Sequence, residues 1–227
     1  MSTTLVLGAS RGVGLELARQ AVAAGERVIA SARDDAALAR LKAMGCETLR
    51  IDVTDPASVS QLAWRLDGER LDTAWYVAGV MCGRTDATQP PTQAEFDRVM
   101  HANVLGLMQV IPQVAPQVAA SRADGGGRFG FLSSVMGQIG GVRGSGAWLY
   151  RVSKAALNMA VAAAQHSYPQ ARMVCFHPGW VRTDMGGPGA EVEAADSAAG
   201  LRATLAAAPH ESRALFMNYD GQPLQGW

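Results

Sequence analysis

The sequence predicts a single α/β domain: a doubly wound parallel sheet of about seven strands with helices on both faces. Three observations predict it. Short β-rich apolar runs alternate with longer stretches whose apolar residues recur at helical spacing. The connections between them are short, which suits crossovers that return to one sheet. The chain has 227 residues, so residues 1–227 fit one such domain and leave little room for a second.

Thr3 to Leu7 reads as the first strand. Gly8 to Gly14 then opens a helix running to about Ala24, with Val13, Leu17, Ala21 and Ala24 on one face and Gly25 as its stop. Arg27 to Ser31 is a second strand, Asp35 to Met44 a second helix, and Glu47 to Asp52 a third strand. Asp55-Pro56 starts the next helix with a capping carboxylate and a proline in the first turn. Leu71 to Val77 is the fourth strand. A longer helical pattern runs from Gln93 to about Ala120, with Pro112 and Pro116 placed to bend or break it. Arg128 to Ser134 is the fifth strand, Ala147 to about His166 a helix, and Met173 to His177 the sixth strand. Ala194 to Ala208 and Ala214 to Asn218 supply a last helix and strand.

Composition narrows the partners. Lys plus Arg and Asp plus Glu number 20 each, so no net charge draws the chain to nucleic acid or an anionic membrane. No apolar run is long enough to span a bilayer, and no signal peptide is apparent at the N-terminus. Cys46, Cys82 and Cys175 stand far apart, which suits a reducing compartment, and the cytoplasm is the expected location. His101, His166, His177 and His210 show no metal-ligand spacing, so no metal is expected.

Chemistry enters at two stretches. Gly8, Gly12 and Gly14 separate the first strand from the first helix. There a glycine turn lets backbone approach a ligand, and the helix N-terminus suits a pyrophosphate. The spacing is G-x-x-x-G-x-G rather than G-x-G-x-x-G. The second strand ends Ile29-Ala-Ser-Ala-Arg33 with no acid before Asp34. A site for NAD(H) places a carboxylate there. Arg11 and Arg33 instead suit a 2′-phosphate, so NADP(H) is preferred over NAD(H), with NAD(H) possible. The alternative for Arg33 is a solvated side chain paired with Asp34 or Asp35.

The second stretch is Phe131 to Asn158. Tyr150 and Lys154 lie four apart on one helix face. An ammonium beside a phenol lowers its pKa toward neutral, as proton exchange with a carbonyl or hydroxyl requires. Ser134, at the end of the fifth strand, is placed to hydrogen-bond the same oxygen.

Taken together these positions resemble the short-chain dehydrogenase/reductase family, a single-domain Rossmann fold. The resemblance covers nearly the whole chain: the glycine loop, Asp52-Val53, Ala78-Gly79, Asn103, Ser134, Tyr150-x-x-x-Lys154, and His177-Pro178-Gly179 followed by Thr183. Within the family, YRVSKAALNM, HPGWVRTDMGGPGA and NYDGQPL are similar to the C-factor-like group, which includes carbonyl-reductase-like relatives.

The resemblance implies that Tyr150 is the general acid in carbonyl reduction and that Lys154 tunes it and holds the nicotinamide ribose. Ser134 polarises the substrate oxygen, and Asn103 keeps a water in a proton relay behind Lys154. Gly8, Ser10, Arg11, Gly12, Val13, Gly14 and Arg33 hold the phosphates, and Asp52 and Val53 face the adenine. Ala78, Gly79, Pro178, Gly179, Val181 and Thr183 line the rest of the cofactor site.

Two departures stand out. Tyr76-Val77 replaces the family's Asn-Asn, which puts the tie between strands at that corner in doubt. Ser134 and Tyr150 are sixteen positions apart, longer than usual, with Ser133 and then Ser145 as alternatives. The expected substrate is a small hydrophobic carbonyl or alcohol, held by a loop at about 184–200 and walled in part by Trp148-Leu149. Helix packing is the equal alternative for Trp148. A homodimer or larger homo-oligomer is expected, with Leu105, Met108, Leu157 and Val161 as interface or core residues. A signalling or cofactor-sensing role, in which nucleotide binding matters more than turnover, is the alternative function.

Overall fold

A computed structural model describes the whole chain except Arg84 and His210. Seven strands form one parallel sheet: β1 (Thr3–Leu7), β2 (Arg27–Ala32), β3 (Glu47–Arg50), β4 (Thr73–Tyr76), β5 (Gly127–Leu132), β6 (Ala171–His177) and β7 (Leu215–Asn218). Their order is β3-β2-β1-β4-β5-β6-β7, the doubly wound arrangement that the alternation predicted.

Side-chain alternation along the strands builds two cores. Leu5, Leu7, Tyr76, Phe129, Phe131 and Cys175 face α6 (Gly106–Ala119) and α7 (Trp148–Ser167). Val6, Val28, Trp75, Val174 and Phe176 face α1 (Gly12–Ala23), α2 (Asp35–Ala43) and α8 (Ala194–Ala207). Gly130 makes room for the Trp75 indole, since a Cβ there would lie 2.4 Å from Trp75 Cζ3. Every such burial removes apolar surface from water at about 25 cal/mol per Å².

Helix ends follow their capping residues. Asp34 accepts from Ala37 N at 2.8 Å to start α2. Asp55 accepts from Ala57 N at 3.0 Å to start α3 (Pro56–Ser60), which is followed by α4 (Leu62–Arg65). Thr92 accepts from Glu95 N at 3.2 Å to start α5 (Gln93–Met100).

The long middle pattern differs from expectation. Neither Pro112 nor Pro116 breaks α6. Both prolines are exposed and lie four apart on one face, so the carbonyls they leave unbonded, at residues 108 and 112, turn toward water. The irregularity falls earlier, where His101–Leu105 forms a π-helical turn between α5 and α6.

The Tyr76-Val77 departure also resolves. Tyr76 is fully buried and its hydroxyl donates to Ala102 O at 3.2 Å, tying the end of β4 to the π turn. Val77 N donates to Leu7 O at 2.9 Å, and its side chain packs against Gly14. The corner is held by a different bond, not loosened.

Among the described residues, no helix is long and apolar enough to cross a membrane. Leu157 and Val161 are fully buried in the chain's own core, whereas Leu105 and Met108 are exposed. The four residues therefore divide, and only the last two are available to another copy.

Candidate active site

The strands' carboxyl ends open into one cavity of about 980 Å³. Its floor is the glycine loop. Gly8 has φ 95° and lies so close to β4 that a Cβ would sit 2.8 Å from Ala78 N. Gly14 is tighter still, with Gly8 O at 2.3 Å from any Cβ built there. Ser31 fixes the loop by accepting from Gly8 N at 3.1 Å, and its carbonyl accepts from Ala9 N at 2.8 Å. Above it, α1 starts at Gly12 with no side-chain cap and no acid in its first turn. A bare helix N-terminus over a side-chain-free cradle fits a pyrophosphate. Val13 and Ser10 complete this wall.

The 2′-phosphate end is less simple than two arginines. Arg11 pairs with Asp184 at 2.6 Å. Arg33 does not pair with Asp34, which caps α2, nor with Asp35, which holds Arg50. Its nearest acid is Asp52 at 3.8 Å. The guanidinium is exposed and weakly held, at the end of β2. Arg40, which sequence reading did not single out, donates to Ser10 O in the glycine loop. Its only sequence signal was its place in the last turn of α2.

Asp52 accepts from Thr54 N and Oγ1 at 2.9 and 2.7 Å, which ends β3 early and turns Val53 to the cavity. Opposite, Thr183 overhangs Gly12, where a Cβ would lie 3.0 Å from its Cγ2. Gly179 (φ 86°) shapes the bend that brings Pro178 and Val181 onto the wall, and Ser197 anchors that bend by donating to Pro178 O at 2.7 Å. His177 lines the same wall, and burial pushes it down to about 4. Cys46, Cys82 and Cys175 are buried free thiols. No group of three metal-ligating side chains is present among the described residues, and His210 lies outside them.

The proton-handling end gathers Ser134, Tyr150 and Lys154. Ser134 caps a 3-10 turn (Val135–Gly137) that presses on α7, and a Cβ at Gly137 would lie 2.7 Å from the Lys154 carbonyl carbon. This contact sets the spacing of serine and tyrosine despite the sixteen residues between them. Ser134 Oγ accepts from Met136 N at 3.1 Å and lies close enough to the Tyr150 phenol to pull its pKa down. Ser133 also lines the cavity, but its hydroxyl is engaged, donating to Asn158 Oδ1 at 2.6 Å. Ser145 is exposed and does not reach the cavity wall.

Burial overrides the simple charge argument for Tyr150. It pushes the phenol up to about 12, with the Ser134 hydrogen bond pulling the other way. The Lys154 ammonium lies 5.6 Å from the ring centroid and donates to Leu132 O at 2.8 Å. Burial brings Lys154 itself down to about 8. In this buried setting the ammonium does not bring the phenol toward neutrality, contrary to the expectation from spacing alone.

Asn103 sits in the π turn, fully buried. It accepts from Val80 N at 2.8 Å and donates to Val80 O at 2.9 Å and to Ser153 Oγ at 3.0 Å. Gly79 fills the gap beside it, since a Cβ there would lie 3.2 Å from Asn103 Oδ1 and 3.6 Å from Lys154 Nζ.

The apolar walls differ from expectation. Leu149 packs with Cys82, Val99 and Tyr150, and neither it nor Trp148 lines the cavity. Val80, Met81, Val135, Met136, Trp180 and Met185 do. Of the loop expected at 184–200, only Asp184, Met185 and Gly186 reach the cavity, and α8 takes up the chain from Ala194.

This fold and site define a class. The family model for short chain dehydrogenases matches residues 2–194, and the chain belongs to that family of NAD(P)-dependent oxidoreductases. It is 32% identical over 99% of its length to all of 1-hydroxy-2-glutathionyl-2-methyl-3-butene dehydrogenase from Rhodococcus sp. (strain AD45). It is 35% identical, over 64% of its length and 84% of the relative, to the C-signal of Myxococcus xanthus. A short-chain dehydrogenase/reductase structure from Burkholderia multivorans with bound NADP superposes with TM-score 0.86 at 31% identity, covering 100% of this chain and 99% of that one. The carbonyl reductase Sniffer of D. melanogaster superposes with TM-score 0.90 at 26% identity, over 100% of both chains.

Proposed function

We propose that the protein is an NADP(H)-dependent oxidoreductase that interconverts a carbonyl and an alcohol on a small substrate with an apolar body. One observation carries this reading: Ser134, Tyr150 and Lys154 converge on the cavity whose other end is the glycine cradle. The NADP-bound likeness and the exposed Arg33 support the phosphorylated cofactor.

Bound NADP(H) supplies or accepts the hydride. The chain's own residues handle the proton and the geometry. Ser134 donates to the substrate oxygen and holds it beside the phenol. Tyr150, kept protonated by burial, gives its proton to that oxygen as negative charge develops. In the reverse direction it takes the proton from the alcohol. Lys154 holds the cofactor ribose, and Asn103 supports the path by which the phenol is reprotonated. Arg11, Arg33 and the N-terminus of α1 bind the phosphates, while Asp52 and Val53 flank the adenine. The exposed Leu105, Met108, Val152 and Met159 on the α6 and α7 side support a homodimer.

Likeness to the C-signal supports a second reading, a signalling or cofactor-sensing role. Tyr150→Phe separates the two. Turnover is expected to fall at least 100-fold while NADPH affinity stays within about threefold. A variant that reduces carbonyls at the wild-type rate would overturn the catalytic assignment. Equal kcat/KM with NADH and NADPH would overturn the 2′-phosphate assignment.

A further inference from the structure

We infer that Arg151 recognises an anionic group on the substrate, so that the preferred substrate is an apolar carbonyl or alcohol compound carrying a carboxylate or similarly placed anion. This deepens the oxidoreductase reading and rests on it.

The cavity's charged walls are unequal. Its cations are Arg11, Arg33, Arg151, Lys154 and Arg182, and its acids are Asp52 and Asp184. Four of these cations have work to do. Arg11 pairs with Asp184, and Arg33 lies near Asp52. Lys154 donates to Leu132 O. Arg182 bonds Glu193 at 2.6 Å and Ala190 O at 3.0 Å.

Arg151 is different. Its Nε donates to Gly146 O at 2.9 Å, which anchors the guanidinium on the cavity wall one residue from Tyr150. Its two terminal nitrogens meet no carboxylate and no other acceptor among the described residues. It is half-buried rather than free on the surface. A surface arginine without a partner is solvated and unremarkable, but this one is oriented by its own Nε bond. It lines the same cavity as the apolar side chains of Val135, Met136 and Trp180.

A planar guanidinium fixed at Nε leaves its outer two N–H groups to face a ligand, the geometry that carboxylates take in charge-assisted pairs. The anion takes no part in the redox step. It sets which end of the substrate lies toward the loop at Gly146 and which toward Tyr150.

The test compares 4-carboxybenzaldehyde with methyl 4-formylbenzoate, both with NADPH, in wild type, Arg151→Gln and Arg151→Lys. In wild type the acid is expected to have at least tenfold higher kcat/KM than the ester, mainly through KM. Arg151→Gln is expected to lower the value for the acid at least tenfold more than for the ester, and Arg151→Lys to recover part of the loss. Equal values for acid and ester in wild type, or an equal fall for both in Arg151→Gln, would overturn the proposal while leaving the carbonyl-reductase reading intact. Calorimetric titration with benzoate reads the site without turnover. Binding that weakens at least fivefold in Arg151→Gln supports the proposal, and absent or unchanged binding overturns it. Failure of wild type to oxidise NADPH with either aldehyde, alongside Arg151-dependent benzoate binding, counts against the reductase reading alone.

Discussion

Ser133 donates its hydroxyl proton to Asn158 Oδ1 across 2.6 Å of buried space, while its neighbour Ser134 accepts from Met136 N at 3.1 Å and draws the Tyr150 phenol's pKa down. Both serines line the cavity, but the Ser133 hydroxyl is engaged by Asn158 of α7, whereas Ser134 stands beside the phenol. Opposite phenotypes are therefore expected. Ser133→Ala leaves a buried amide oxygen unsatisfied and costs about 1–3 kcal/mol in urea unfolding, with turnover reduced only modestly. Ser134→Ala is expected to reduce kcat by about 100-fold or more with stability within about 1 kcal/mol of wild type. Near-normal kcat in Ser134→Ala would show that the wrong serine has been assigned.

Lys154 is placed at a cost to the fold. Burial lowers its pKa from 10.5 to about 8. Below about pH 8 the ammonium is charged in both the folded and the unfolded chain, and its full desolvation penalty opposes folding. Between about 8 and 10.5 the unfolded chain still binds a proton that the folded chain has released, so this contribution to stability rises with pH. Lys154→Met removes the penalty, on the order of 1–3 kcal/mol, and forfeits the bond to Leu132, about 1 kcal/mol. The stability of the variant relative to wild type is expected to be greatest near pH 7 and to decline toward pH 10. A difference that stays flat over that range in thermal melts would refute the account.

Gly79 tests the packing of the relay side. Asn103 is held by three hydrogen bonds and has little freedom to yield to a Cβ at 3.2 Å. Gly79→Ala is expected to lower kcat at least tenfold at a stability cost of about 1–2 kcal/mol. Gly83→Ala, whose Cβ would meet only Glu95 Oε1 at an ordinary 3.5 Å, serves as the control. Equal activity in the two variants would remove Asn103 from the catalytic path.

Much of this molecule was legible in its residues. Alternating apolar runs specify which faces of the strands are buried, and the glycines at 8, 12 and 14 mark a turn that admits no side chain. Helix spacing alone puts Tyr150 and Lys154 on one face. What was not legible depends on groups far apart in the chain. The pKa of Tyr150 depends on burial supplied by Cys82, Val99 and Leu149, and no local spacing reveals that. Arg11 meets Asp184 across 173 positions. Trp148 was equally a wall or a packing residue until the start of α7 was fixed, and the prolines of α6 were harmless only because both face water.

The strand order has a consequence for how the site comes into being. β1 lies inside the sheet, with β2 and β3 added on one side and β4 through β7 successively on the other. As the chain leaves the ribosome, the nucleotide cradle and its flanking strands emerge first. Ser134, the first residue of the proton-handling group, follows Gly14 of the cradle by 120 positions. Each later strand docks on an edge already in place, so parallel pairing proceeds outward rather than by threading. A nascent chain halted after β4 would hold the phosphate-binding half of the site without the proton-transferring half.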